Sequence, residues 1–256
     1  MARQARERCE SGIYHIVTRG INRQDIFCDH EDYKRFLETL ERVKTDKFEV
    51  YGYCLMSNHV HLLIHEKSEE INQIMKRIGA SYAWWYNRKY DRTGHLFQGR
   101  YRSECVEDDE YLLTVIRYIH NNPVKAGIVG RPEDYRWSSI QAYYSRPEES
   151  IGLTDVGFIL GILAKERTEA IYRFREHMKI KNQDICIEEE IKQRKTDSEA
   201  KAGIEALLNG DPLTVLQTVE KKERDEKLRQ IKAIEGITQR QIARITGLSQ
   251  NIIFKV

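Results

Sequence analysis

Apolar and polar positions along the first half of the chain alternate between two periods. Residues 13–18 (I-Y-H-I-V-T) are dense in β-branched and aromatic side chains and stop at Gly20 and Asn22, which predicts a strand running into a turn. Residues 32–44 place Phe36, Leu37, Leu40 and Val43 at threes and fours, the spacing of an amphipathic helix. Residues 48–56 and 59–65 read as two strands across the short Ser57-Asn58 turn, hence an antiparallel hairpin. Residues 71–90 carry Ile74, Met75, Ile78, Tyr82, Trp85 and Tyr86 at helical spacing. After the turn at Asp91-Arg92-Thr93-Gly94, residues 97–106 read as a fourth strand. Residues 108–122 read as a helix with acids in its first turn, where the helix dipole favours them, ended by Pro123.

The order is β-α-β-β-α-β-α, and its first six elements match the split βαβ arrangement. The expected fold is α+β: a ferredoxin-like antiparallel sheet with helices on one face, followed by a helical extension and a C-terminal helix-turn-helix. The expected divisions are a catalytic domain over 1–146, a charged helical connector over 147–227 and a helix-turn-helix-like module over 228–256. In that module Thr238 and Ser249 are candidate N-caps and Gly247 supplies the turn. Ile242, Ala243, Ile245, Leu248 and Ile253 supply a small core.

Charge changes the picture locally. Lys+Arg is 42 and Asp+Glu is 40, so the net charge of +2 is too balanced for a polybasic tail. Between Asn72 and Arg102, however, seven bases face a single acid, Asp91. The five cysteines form no C-x-x-C pair and are odd in number, so reduced thiols are expected. No apolar run reaches the ~18 residues that a membrane span needs. The first eight residues are charged with no apolar segment behind them. We therefore expect no secretory signal and no membrane partner, and a cytoplasmic, nucleoid-associated location.

Three constellations carry candidate chemistry. On a strand, His59 and His61 project from one face, which makes half of a metal site; two surface histidines are the plainer alternative. Tyr118 and Asn122 lie one helical turn apart. The first is a candidate nucleophile and the second an amide that can complete a metal site, or they are a core tyrosine and a helix-end asparagine. Tyr82, Trp84, Trp85, Tyr86, Tyr90, Phe97 and Tyr101 are interleaved with bases, a pairing that suits stacking and phosphate contact on single-stranded nucleic acid. Candidate contacts there are Lys76, Arg77, Trp84, Arg88, Arg100 and Arg102, with Arg19 and Arg23 flanking Gly20. In the last module the candidates are Gln250, Asn251 and Lys255, which would read duplex DNA.

Five segments together carry a family resemblance: Val17-Thr18-Arg19-Gly20-Ile21-Asn22-Arg23, Met56-Ser57-Asn58-His59-Val60-His61-Leu62-Leu63, Gly94-His95-Leu96-Phe97-Gln98-Gly99-Arg100-Tyr101, residues 118–127 and Trp137-Ser138-Ser139. In this order and spacing, across about residues 10–145, they resemble the single-tyrosine HUH transposases of the REP-associated group. The resemblance implies cleavage and rejoining of single-stranded DNA at hairpin-flanked sites through a 5′-phosphotyrosine. It makes Tyr118 the nucleophile, His59 and His61 paired metal ligands and Asn122 the third ligand, with Mg²⁺ or Mn²⁺ as the ion. It leaves open a homodimer, an HUH nickase or relaxase, and a catalytically silent sequence-specific DNA-binding regulator.

Overall fold

The computed structural model describes residues 8–144, 152–180, 186, 197–208, 211–234 and 236–255. The expected boundary at 146/147 and the acidic run at 188–190 lie outside them. The chain divides into two compact units, residues 1–187 and 188–256.

The first unit is built on four strands: β1 (Ile13–Arg19), β2 (Phe48–Met56), β3 (His59–Glu66) and β4 (Arg102–Cys105). They form one antiparallel sheet in the order β2-β3-β1-β4. Helix α1 (His30–Lys44) links β1 to β2, and α2 (Ile71–Lys89) links β3 to β4. This is the expected split βαβ order. Period-two alternation sends Tyr14, Ile16, Val60, Leu62 and Ile64 to one face, where they pack with Phe36 and Leu40 of α1 and Ile74, Ile78 and Tyr82 of α2. Helix α1 begins at a capping box in which Asp29 and Asp32 satisfy each other's backbone N–H groups.

The expectation of helices on one face needs correction. Helix α3 (Asp109–Lys125) covers the opposite face, with Leu112, Val115, Ile116 and Ile119 packed among Ile13, Cys54 and Leu63. The odd-numbered residues of β1 and β3 include enough apolar side chains to need their own cover. Helices α4 (Ile140–Tyr144), α5 (Val156–Leu163) and α6 (Arg167–Lys179) extend that second core through Ile140, Tyr143, Ile159 and Phe174.

Two local expectations also change. Pro123 does not end α3, which runs one residue pair further to Lys125. The last turn is closed beyond the proline by Ala126 N–H donating to the Asn122 carbonyl, so only the one N–H that proline lacks is lost. The fourth strand is also shorter than 97–106, because Gly99 at φ 69 breaks the extended run. Phe97 keeps a single bridge to Gly20.

Gly52 positions α3. It sits at a register shift in β2, and a Cβ there would fall on the Ile116 Cδ1 methyl. The missing side chain lets α3 lie directly on the sheet.

In the second unit, α7 (Asp197–Leu207), α8 (Val215–Thr218) and α9 (Lys221–Ala233) precede α10 (Gln239–Thr246) and α11 (Gln250–Lys255). Thr238 and Gln241 form a capping box, and Gly247 at φ 71 makes the turn between the last two helices. Ile204, Leu228, Ile231, Ile242 and Ile253 are its buried core.

Candidate active site

The site forms where β1, β3 and α3 meet. His59 and His61 lie on the α3 side of β3, opposite Arg19 and Val17 of β1 in the register. Their rings are edge to face with centroids 5.1 Å apart. His61 is 3% exposed. Burial, with Arg19 adding its charge, pushes the His59 imidazole down to about 4. The same burial, with His59, His15 and Arg19 nearby, holds His61 well below the ordinary histidine range. Both rings are therefore neutral near pH 7, the form that ligates a metal.

Tyr118 enters from α3, its ring edge-on to His61 at 5.7 Å between centroids and to His15 at 5.9 Å. It is 8% exposed. The Lys125 ammonium lies 5.6 Å from its ring centroid. The Arg19 guanidinium, pushed down to about 10 by burial and by the charges of Arg23 and Arg102, also senses the Tyr118 hydroxyl. Of the arginines named from the sequence, Arg19 is thus beside the tyrosine, with Arg23 and Arg102 close enough to Arg19 to act on its charge. One turn on, Asn122 donates its side-chain N–H to the Tyr118 carbonyl at 3.1 Å, which leaves the amide oxygen as its remaining polar atom.

The donor set fits a divalent ion in one respect and limits it in another. Two neutral imidazoles sit side by side. Among the described residues, no third His, Cys, Asp or Glu side chain closes a three-ligand group on them. Further ligands to such an ion would be oxygens of another kind, from an amide, the substrate or water.

Two residues of the site escaped the sequence reading. His15 is fully buried, with Nδ1 2.6 Å from Glu104 Oε1 and Nε2 3.1 Å from His61 Nδ1. An ionisable residue inside the apolar run 13–17 was the available signal. Glu104 reads as one member of an acidic segment until the pairing of β1 with β4 sets it opposite His15. His120, by contrast, is buried away from this cluster, with Nε2 2.8 Å from Ser139 Oγ.

The basic aromatic stretch separates into parts. Tyr82 and Tyr86 are core, whereas Trp84 is 63% exposed with the Arg88 guanidinium 5.7 Å from its ring centroid. Arg77 is held by Glu69. Lys89 is spent on Asp29, Glu31 and Asp32. Lys76 and Arg100 border a groove of about 610 Å³ with Asn72, Gln73, His95 and Tyr101. Its wall includes Thr18, Phe36 and Ile78, so it lies on the α1/α2 face, across the sheet from Tyr118. Arg102 opens β4 and is exposed. In the second unit, Gln250 and Asn251 are exposed on α11; the side chain of Lys255 lies outside the described ones.

Cys9 and Cys105 are disulfide-bonded, with Cα atoms 5.3 Å apart, contrary to the expectation of reduced thiols throughout. A separation of 96 residues hid the pair, which the β1–β4 register brings together. Cys28, Cys54 and Cys186 are free thiols.

Comparison with known proteins points to one family. The family model of IS200-like transposases matches residues 9–122, which include β1 to β4 and α3 as far as Asn122. Residues 9–122 are thus similar to IS200-like transposases. A curated Haemophilus influenzae protein named for the REP-associated tyrosine transposases is 27% identical over 103 residues, 36% of this chain and 58% of its own. The chain thus spans a little over half the length of that relative. A solved structure of a REP-associated tyrosine transposase bound to a REP hairpin is 16% identical, with a TM-score of 0.48 over 60% of this chain and 98% of its own. A crystal structure named as a Deinococcus radiodurans transposase is 19% identical, with a TM-score of 0.34 over 46% and 96%. His15, His59, His61, Glu104, Tyr118 and Asn122 all fall within the matched residues. No helix among the described residues is long and apolar enough to cross a membrane.

Proposed function

We propose that the protein is a DNA strand transferase that cleaves and rejoins single-stranded DNA at hairpin-flanked sites, with Tyr118 as its nucleophile. The observation that carries this reading is the seating of Tyr118 against the His61 ring, beside Arg19, inside a domain matched to IS200-like transposases. Tyr118 Oη attacks the scissile phosphorus in line. A tyrosyl O–P bond forms to the 5′-phosphate and the bond to the 3′-oxygen breaks. The proton lost from the phenol is balanced by the one that the departing 3′-hydroxyl takes up. A free phenol titrates near ~10, so the Arg19 charge lowers the cost of forming the phenolate. Arg23 and Arg102 hold the flanking phosphates. Attack by a second 3′-hydroxyl reverses the step and joins new strands, with the bond energy kept in the phosphotyrosine.

His59 and His61, with Asn122 as the amide ligand, would hold Mg²⁺ or Mn²⁺. The ion would supply Lewis-acid polarisation of the phosphate. The imidazole pair makes Mn²⁺ as suitable as Mg²⁺. The catalytic part is the expected domain 1–146, to whose second core α5 and α6 of the expected connector 147–227 add their own apolar faces. The module 228–256 is a second DNA contact, a helix-turn-helix of α10 and α11 with Gln250, Asn251 and Lys255 as the contacts to duplex DNA.

The test is incubation of labelled single-stranded hairpin DNA with protein and Mg²⁺ or Mn²⁺, followed by a denaturing gel. A covalent adduct lost in Tyr118→Phe and with chelator is the expected result. Tight binding with no adduct, across both metals and several hairpins, would instead mark a DNA-binding regulator.

A further inference from the structure

The hydrogen bonds behind His61 form a chain that the reaction above does not use. Glu104 and His15 are cross-strand partners in the β1–β4 ladder, so their side chains rise from the same face. The Glu104 carboxylate accepts at 2.6 Å from His15 Nδ1 and also bonds Tyr111. His15 Nε2 then meets His61 Nδ1 at 3.1 Å. His15 is 0% exposed and His61 3%, so no water competes for these positions.

A carboxylate offers no proton, so the proton of the first bond sits on His15 Nδ1. In a neutral His15 ring, Nε2 is then an acceptor. The second bond can form only if His61 carries its proton on Nδ1, and that leaves the lone pair on Nε2. His59 arrives at the same form by another route: its Nδ1 lies 2.6 Å from Asn58 Oδ1, an acceptor. With His15 neutral, the two histidines share one tautomer, set by two different partners.

We propose that Glu104 and His15 are positioning residues that lock His61 in the Nδ1–H tautomer, so that its Nε2 is a preformed ligand atom. The proposal rests on the metal reading above for its consequence, but the lock itself is a property of the protein alone. Outer partners of this kind set the orientation and basicity of a ligating histidine, and removing one typically weakens metal affinity about 10–100-fold.

The experiment uses full-length protein with ¹⁵N-labelled histidine, read by NMR without metal, and Mn²⁺ binding read by the EPR signal of free Mn²⁺. The wild type should show His61 protonated at Nδ1 only. His15→Phe fills the space but removes the acceptor, so His61 should become a mixture of tautomers and Mn²⁺ binding should weaken tenfold or more. Glu104→Leu, at a partly exposed site that tolerates the change more readily, should move both readouts the same way. Glu104→Gln keeps an acceptor oxygen for His15 and should restore both. Tryptophan fluorescence establishes that each variant is folded, and Glu104→Leu decides the matter if His15→Phe is not. A wild-type His61 protonated at Nε2 would mean that His15 donates instead, and would overturn the proposal. So would an unchanged tautomer with Mn²⁺ affinity within twofold in the folded variants. If the wild type binds no Mn²⁺ at all, the metal reading fails, and the tautomer measurement alone upholds or overturns the lock.

Discussion

Gly52→Ala tests whether the closeness of α3 to the sheet places the nucleophile. The new Cβ would meet Ile116 Cδ1 far inside contact distance, while its next neighbours, Ser139 Oγ at 3.6 Å and Ile116 Cγ1 at 3.8 Å, are at ordinary separations. One methyl group is therefore in the way, overlapped by more than about 1 Å relative to the ~3.5–4.0 Å at which carbons rest. Ile116 is fully buried on α3, two residues before Tyr118, so a side chain with little room to rotate passes part of the strain to the helix. Overpacking of this kind costs about 1–3 kcal/mol, offset by up to ~1 kcal/mol from loss of glycine's backbone freedom in the unfolded chain. Ile116→Val removes the offending methyl and by itself costs about 0.5–1.5 kcal/mol. The double variant should then be no less stable than Ile116→Val alone, a coupling of about 1–2 kcal/mol in a double-mutant cycle. Urea unfolding followed by tryptophan fluorescence is the assay. Trp84, Trp85 and Trp137 are the chain's three tryptophans and all lie in the first unit, so the signal reports that unit alone. Adduct formation should fall in Gly52→Ala and recover in the double variant. Additive free energies, or full activity in a destabilised Gly52→Ala, would refute the argument that Gly52 sets the position of Tyr118.

Two further predictions follow from the same geometry. Burial pushes His120 down to about 3, whereas an unfolded histidine titrates near ~6.5, so the unfolded chain takes up a proton that the folded one refuses. Its contribution to stability is complete above pH ~6.5 and declines by about 1.4 kcal/mol per pH unit as pH falls toward 3. Replacing His120 by Gln should flatten the stability–pH slope between pH 6 and 5 by that amount, and an unchanged slope in urea titrations would contradict it. Lys76→Ala with Arg100→Ala removes two cations from the groove on the α1/α2 face. If both meet phosphates of single-stranded DNA, the salt dependence of binding, at ~0.7 per phosphate, should fall by about 1.4 in log K against log salt. A slope identical to wild type would remove that groove from the DNA path.

Much of the fold was legible because burial on a strand has a strict period. The hairpin 48–56 and 59–65 shows in the sequence as alternation around Ser57-Asn58, and the structure ends its strands at Met56 and Glu66. The same parity put His59 and His61 on a common face. Relations across strands were not legible. Glu104 and His15 become neighbours only through the β1–β4 register, and Cys9 and Cys105 through the same edge. The second core under α3 was missed because Ile13 and Leu63 share their face with His15, His61 and His65, so that face reads as half-polar when in fact a helix covers it. Ion pairs were not legible for a related reason: Lys89 and Arg77 have acidic partners that only packing reveals.

The account stands on a covalent bond between Tyr118 and DNA. Full-length protein, incubated with an unlabelled hairpin substrate and Mn²⁺, should be digested with nuclease and protease and its peptides mapped by mass spectrometry. The account predicts a nucleotide mass carried by the peptide containing Tyr118, and its absence in Tyr118→Phe. Strand cleavage with the nucleotide on another residue, or with no protein adduct at any time, would contradict it.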